Sequence, residues 1–291
     1  MNERNLSCET AVLKTLSYRA VFRYPLSFFQ LGTFLICGNP QPFTSLVDTL
    51  DALRKNGVLR LKKARIILKN VSPLDWEARA RDSKKVIKSH QQTFKILGKI
   101  PWIRLLAITG ATAAYSYKKG DDLDIFVVTQ KNRLWITRFF VVLLLKALGA
   151  YRTDKSPSRK ICPNLFISES ELSWDLRKRD VYVAHEIIMM HPILDRGDVY
   201  FKFIKANDWI FKYFANSAFT FPKSFQAVHG RKSKVLDVME VILMGVQKRY
   251  MKKKKTVEVT SRRMIHFNRD DSRQKTLMRF QKIYGRTEET L

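Results

Sequence analysis

Apolar positions along the chain change period several times, and each change predicts an element. Residues 44–53 place Leu46, Val47, Leu50 and Leu53 at the spacing of an amphipathic helix. Helices are predicted over 8–22, 26–35 and 42–56, with Pro25, the Gly38-Asn39-Pro40 cluster and Gly57 as breaks. A short strand pair follows over 58–61 and 64–68. Beyond Asn70-Val71-Ser72-Pro73, a boundary, a charged helix over 74–97 offers Trp76, Ala80, Val86, Ile87, Phe94 and Ile96 for burial. The remaining order is a strand over 102–108, a strand over 123–129, a helix over 133–147, a strand over 161–167 and a helix over 175–190. Residues 195–250 read as helical and rich in aromatics, and the tail is basic. Three parts result, at 1–72, 73–192 and 193–291.

Candidate chemistry concentrates where two of these strands meet. The first ends in Ile108-Thr109-Gly110-Ala111-Thr112, and the second opens with Asp121-Asp122-Leu123-Asp124-Ile125. Residues two apart on a strand share a face, so Asp122 and Asp124 project together while Leu123 and Ile125 enter the core. Adjacent carboxylates at the edge of an apolar sheet are costly to keep charged unless a divalent ion neutralises them. Mg²⁺ typically takes one or two carboxylates plus substrate phosphates.

This constellation resembles the nucleotidyltransferase domain of the DNA polymerase β superfamily. That family has an apolar strand, Gly-Ser, about ten residues and then Asp-x-Asp on the next strand, with a third acid on a later strand. Gly110, Asp122 and Asp124 match it; Ala111 stands at the serine and Asn164 where the third acid is expected. The resemblance implies an α+β fold around a small mixed β-sheet. It also implies Mg²⁺-dependent transfer of a nucleoside monophosphate from a nucleoside triphosphate to an acceptor. Asp122 and Asp124 would hold the metal. Gly110, Ala111 and Thr112 would meet the triphosphate, and Lys118 and Lys119 would reach its oxygens. Asn164 would stand among the catalytic residues as a neutral third ligand, implying nucleotide binding with slow turnover, unless Glu169 or Glu171 substitutes for it. Residues 1–72 resemble a winged helix-turn-helix in topology, with Lys62 and Lys63 in the wing.

Composition narrows the partners. The chain has 291 residues, 45% of them hydrophobic, ample for packed cores. Its 54 Lys and Arg against 26 Asp and Glu leave a formal charge of +28, which favours nucleotides, RNA or DNA. Cys8, Cys37 and Cys162 have no Cys-x-x-Cys spacing and lie in apolar contexts, so reduced core thiols in a cytoplasmic protein are expected. No apolar signal follows Met1-Asn2-Glu3-Arg4-Asn5. Residues 134–148 contain Arg138 and Lys146 and fall short of the roughly 20 apolar residues that span a bilayer, so no membrane span is predicted.

Other patterns carry less. His185 and His191 are six apart, which puts them on different sides of a helix and rules out a helical zinc-protease pair; His185 reads as a core or capping residue. Lys252, Lys253, Lys254 and Lys255 read as a solvated face that could follow a nucleic-acid backbone. Two further readings stand beside the transferase: a catalytically degenerate nucleotide- or nucleic-acid-binding protein, and a winged-helix regulator.

Overall fold

The computed structural model describes residues 7–153, 158–217, 230, 233–252, 259–261, 263–266 and 270–289. Three helices open the chain, α1 (Cys8–Val21), α2 (Phe28–Thr33) and α3 (Phe43–Lys55). The Ser7 hydroxyl caps α1 by accepting from the Thr10 amide at 3.1 Å, and Ser27 and Gln30 close a capping box on α2. A hairpin of β1 (Leu59–Lys62) and β2 (Arg65–Leu68) follows. Lys63 and Ala64, at its turn, both take positive φ (49° and 56°), the handedness that suits the twist of the paired strands. Leu31, Leu46, Leu53, Leu59 and Ile66 close on α1 in one apolar core.

The helix expected over 74–97 is two, α4 (Trp76–Ser89) and α5 (Gln91–Leu97). His90 leaves helical geometry between them, and its Nε2 bonds the Arg159 carbonyl at 2.8 Å. The main sheet is built from β3 (Ile103–Ile108), β4 (Leu123–Thr129), β5 (Ile161–Ser168), β6 (His191–Asp195), β7 (Val259–Thr260) and β8 (Met264–His266). Their order is β6-β3-β4-β5-β8-β7; β4 and β5 run parallel and the other pairs antiparallel. The fold is therefore α+β with a mixed sheet.

Between the strands lie α6 (Gly110–Ala113), α7 (Leu134–Ala147), α8 (Val181–Ile188) and α9 (Val199–Ala206), and α10 (Lys234–Lys252) and α11 (Asp270–Glu288) complete the chain. One sheet face packs Leu106, Ile108, Leu123, Ile125 and Val127 against α5, α7 and α10. The other packs Leu105, Ala107, Phe126, Val128 and Ile167 against α8 and α9. β3 is buried along its whole length, which is why its sequence is nearly continuous in apolar residues. Its one charged member, Arg104, meets Glu169 at 3.3 Å.

Several boundaries differ from the sequence pattern. The helix expected over 175–190 is a 3₁₀ turn (Leu176–Lys178) followed by the shorter α8, and then β6 adds an edge strand containing Pro192. The region 193–291 is not uniformly helical: β8 joins β5 and β7 joins β8. These strands have two or three residues, too few to show an alternation. The last helix, α11, returns to the first core, where Tyr284 is buried.

The amino end of α7 is capped from a distance. It has no side-chain cap of its own, and the buried Glu240 carboxylate of α10 accepts from the Trp135 and Ile136 amides at 2.9 Å each. An anion at this helix end satisfies two orphan donors and complements the helix dipole. Glu240→Ala leaves both donors buried, so we expect a loss of about 2 kcal/mol or more in unfolding free energy. A urea titration with an unchanged m-value checks it.

Candidate functional site

Backbone geometry brings Asp124 against the turn after β3. The Thr109 amide donates to the Asp124 carbonyl at 3.0 Å, which carries the β3–β4 pairing to its last residue. Gly110 then takes φ +66°, and a Cβ there would stand 2.7 Å from Asp124 Oδ2. Glycine is required twice over, for the left-handed backbone and for the close approach. A turn follows in which Asp121 Oδ2 accepts from the Lys118 amide at 2.8 Å, and the chain enters β4.

The parallel strand β5 supplies the next wall. Asp124 stands opposite Cys162, and a register shift between Ile125/Pro163 and Phe126/Leu165 leaves Asn164 as an extra residue. Such a bulge re-aims a side chain. Asn164 Nδ2 donates to Asp124 Oδ1, and Asn164 Oδ1 accepts from the Cys162 thiol at 2.9 Å. Asp122 pairs with Arg152 Nε at 3.2 Å. Glu186, on α8, faces the same acids, and the Gly110 amide donates to it.

Charges of one sign in a partly buried site are pushed toward their neutral forms. Burial, then Asp122 and Glu186, raise Asp124 to about 8, with Arg152 opposing. Burial raises Glu186 to about 7, with the Gly110 amide opposing. Burial and then the two aspartates hold the Cys162 thiol well above its ordinary range, so it is protonated. Burial and then Glu186 and Asp124 raise Tyr182, one helical turn before Glu186.

One ligand atom each from Asp122, Asp124 and Cys162 lie within 4.8 Å of one another. The two carboxylates are hard oxygen donors of the kind Mg²⁺ takes, whereas a protonated thiol is not. The residues present therefore fit a Mg²⁺ site built on Asp122 and Asp124. Cys8, Cys37 and Cys162 are free thiols as expected, but only Cys37 is buried: Cys8 and Cys162 are half-buried, and Cys162 stands beside the carboxylates.

The other expected residues divide. Ala111 is exposed beside Gly110, but Thr112 is 1% exposed and its hydroxyl is enclosed without a hydrogen-bond partner among the described residues. Lys118 and Lys119 are exposed, and Lys119 lines a groove of about 240 Å³ with Asp82, Lys85, Tyr117 and Arg159. Glu169 and Glu171 do not replace the missing strand acid. They follow Ser168, which pairs with Thr129 at the opposite end of β4 from Asp124, and they are held by Arg104 and Arg263. Lys62 is exposed and Lys63 pairs with Glu77 at 2.9 Å. Lys252 ends α10, and Lys253, Lys254 and Lys255 lie outside the described residues.

Glu186 was not legible as a site residue. It sits inside the His185–His191 segment, where His185 does prove to be a core residue, bonded to Arg19 Nη1 at 2.9 Å. The only signal was the Tyr182/Glu186 pair, one turn apart on a short apolar helix. No protein-family model matches the chain, and no curated protein matches it significantly.

Two outcomes follow from this geometry. Asp124 and Glu186 bind protons more tightly folded than unfolded, so between about pH 4 and 8 the folded state holds more protons and stability falls as pH rises. Thermal melts in a chelating buffer should show this decline, and Asp124→Asn should flatten it because the amide keeps its neutral partner role. Gly110→Ala should lower stability by about 1–2 kcal/mol from the left-handed backbone alone. Chemical denaturation measures that loss.

Proposed function

We propose that this protein is a Mg²⁺-dependent nucleotidyltransferase, transferring a nucleoside monophosphate from a nucleoside triphosphate to a hydroxyl-bearing acceptor. The observation that carries the reading is the pair Asp122 and Asp124, with ligand atoms within 4.8 Å of one another and Asp124 set against the Gly110 turn, whose amide donates to Glu186. The resemblance of the Gly110 to Asp124 segment to the polymerase β superfamily supports it. The arrangement departs from the family pattern in two respects: Ala111 stands at the serine, and the strand position of the third acid carries Asn164 while Glu186 stands on a helix.

Each residue has a role in this reading. Asp122 and Asp124 supply the oxygens of the metal site. When bound, the metal would neutralise them together with the phosphate charge and lower the pKa of an attacking hydroxyl. Asn164 positions Asp124 through its amide and leaves the carboxylate's second oxygen free of that bond. Glu186 adds charge to the site from the side of α8. The backbone of half-buried Gly110 and exposed Ala111 would face the triphosphate, and exposed Lys118 adds positive charge nearby. The formal charge of +28 favours a polyanionic acceptor such as RNA or DNA.

A second reading has its own support. Asn164 is neutral and Arg152 already pairs with Asp122, so the site could hold Mg²⁺-nucleotide without turning it over. Each labelled triphosphate, incubated with the protein, Mg²⁺ and pooled RNA or protein acceptors, separates the two. The transferase reading expects covalent label, lost in the Asp122→Asn/Asp124→Asn double variant and reduced roughly 100-fold in Glu186→Gln. Calorimetric nucleotide binding without transfer favours the binding protein. No nucleotide binding at all removes both.

A further inference from the structure

Helix α10 turns Glu240 and Gln247, together with Leu243, Met244 and Met251, toward the protein and leaves a further apolar stripe toward solvent. Asp237 pairs with Arg133 at 2.5 Å, and Glu240 caps α7. Gln247 accepts from Arg138 at 2.6 Å and donates to the Trp135 carbonyl at 2.9 Å. On the far side Val235, Val238, Ile242 and Val246 fall at the spacing of one helical face and are between 57% and 70% exposed. Val241 and Tyr250 flank them, also exposed, and Gly245 opens onto empty space. Single exposed apolar side chains are ordinary, but an ordered stripe along a 19-residue helix is a face with no partner among the described residues. Neighbouring α7 exposes Phe139 and Leu143 as well.

Charge decides what that partner is. Of the two acids of α10, Glu240 is buried as the cap of α7, and Asp237, half exposed, is already paired with Arg133, so neither is an unpaired charge. By helical spacing Lys234 stands at one border of the stripe and Arg249 near its end, while Lys248 reaches back over the Trp135 ring at 5.6 Å. A second copy of this chain, itself at +28, would bring like charges together with no unpaired α10 carboxylate to meet them. An anionic bilayer supplies both complements: headgroups for the cations, and the headgroup–acyl boundary for the valines and isoleucine.

We propose that α10 is an in-plane docking helix for anionic lipid membranes. Among the described residues no helix is long and apolar enough to cross a membrane, and this one lies on the surface. It packs on the sheet face opposite Phe126 and Val128, the face Asp124 shares, so docking leaves the acidic site open. The inference stands independently of the transferase reading.

Flotation of the full chain with phosphatidylcholine vesicles, with and without about 30% phosphatidylglycerol, tests it, together with light scattering for mass. We expect binding to the anionic vesicles and a loss of roughly ten-fold or more in Val238→Ala/Ile242→Ala/Val246→Ala, which keeps every charge and sheds only apolar area. Alanine at exposed helix positions preserves the helix, and Ile242→Ala alone should lower binding in the same direction. Equal binding by the triple variant would mean adsorption by net charge and overturn the proposal. So would no vesicle binding, or a dimer that the triple variant converts to monomer, since a second copy would then cover the face.

Discussion

Two carboxylates set side by side at the end of a buried sheet are the constraint that organises this structure. At separations under 4.8 Å, like charges in a medium of effective dielectric near 20 repel by roughly 3 kcal/mol. The surrounding residues answer that repulsion one at a time. Arg152 takes Asp122, the Asn164 amide takes one oxygen of Asp124, and Gly110 yields the room that a Cβ would fill. Glu186 then adds a third acid, so without a cation Asp124 keeps its proton to about 8. A divalent ion would take the place of the proton and offset the repulsion among these acids.

Helix α8 sets where the third acid stands. Its amino cap, Asp180, accepts from the Val183 amide at 3.0 Å and is clasped by Arg273 of α11. At its other end His185 turns into the aromatic cluster of Tyr18, Phe34 and Phe214, while its neighbour Glu186 turns toward Gly110. Burial, and then the Arg19 cation beside it, keep the His185 imidazole neutral, well below its ordinary pKa, so that Nε2 can accept. Consecutive residues on one helix thus tie the acidic site to the amino-terminal helices. A site wall fixed by two such anchors holds its carboxylate by packing.

How much of this could be read from the sequence depends on the range of the interaction. The β3, Gly110 and β4 segment was legible because its geometry is local: alternation, a glycine and paired aspartates within some twenty residues. Asn164 was legible for the same reason, since one crossover helix returns the chain to the neighbouring parallel strand. Glu186 was not, because only the packing of α8 on the sheet face that Asp124 shares brings it near that residue. Proximity in sequence misled at Glu169 and Glu171: a parallel strand carries the chain away from the site, and the residues after it emerge at the far end. Short β6, β7 and β8 escaped because strands of two to five residues take their conformation from the edge they join.

The outward apolar stripe of α10 follows from what α7 lacks. A strongly apolar helix with no capping residue of its own needs an acceptor at its amino end, and that acceptor must be a buried anion brought by another element. Once Glu240 is committed inward, helical spacing carries Asp237 and Gln247 to the same side, where Arg133 and Arg138 match them. Leu243, Met244 and Met251 share that inward side, and Val235, Val238, Ile242 and Val246 are left with the outward positions. Polar, directional contacts also fix the rotation of the helix more sharply than apolar packing would, because a slip of one residue strands a buried charge. The outward stripe is therefore held in one orientation before anything touches it, and preorganised surfaces lose less entropy on binding.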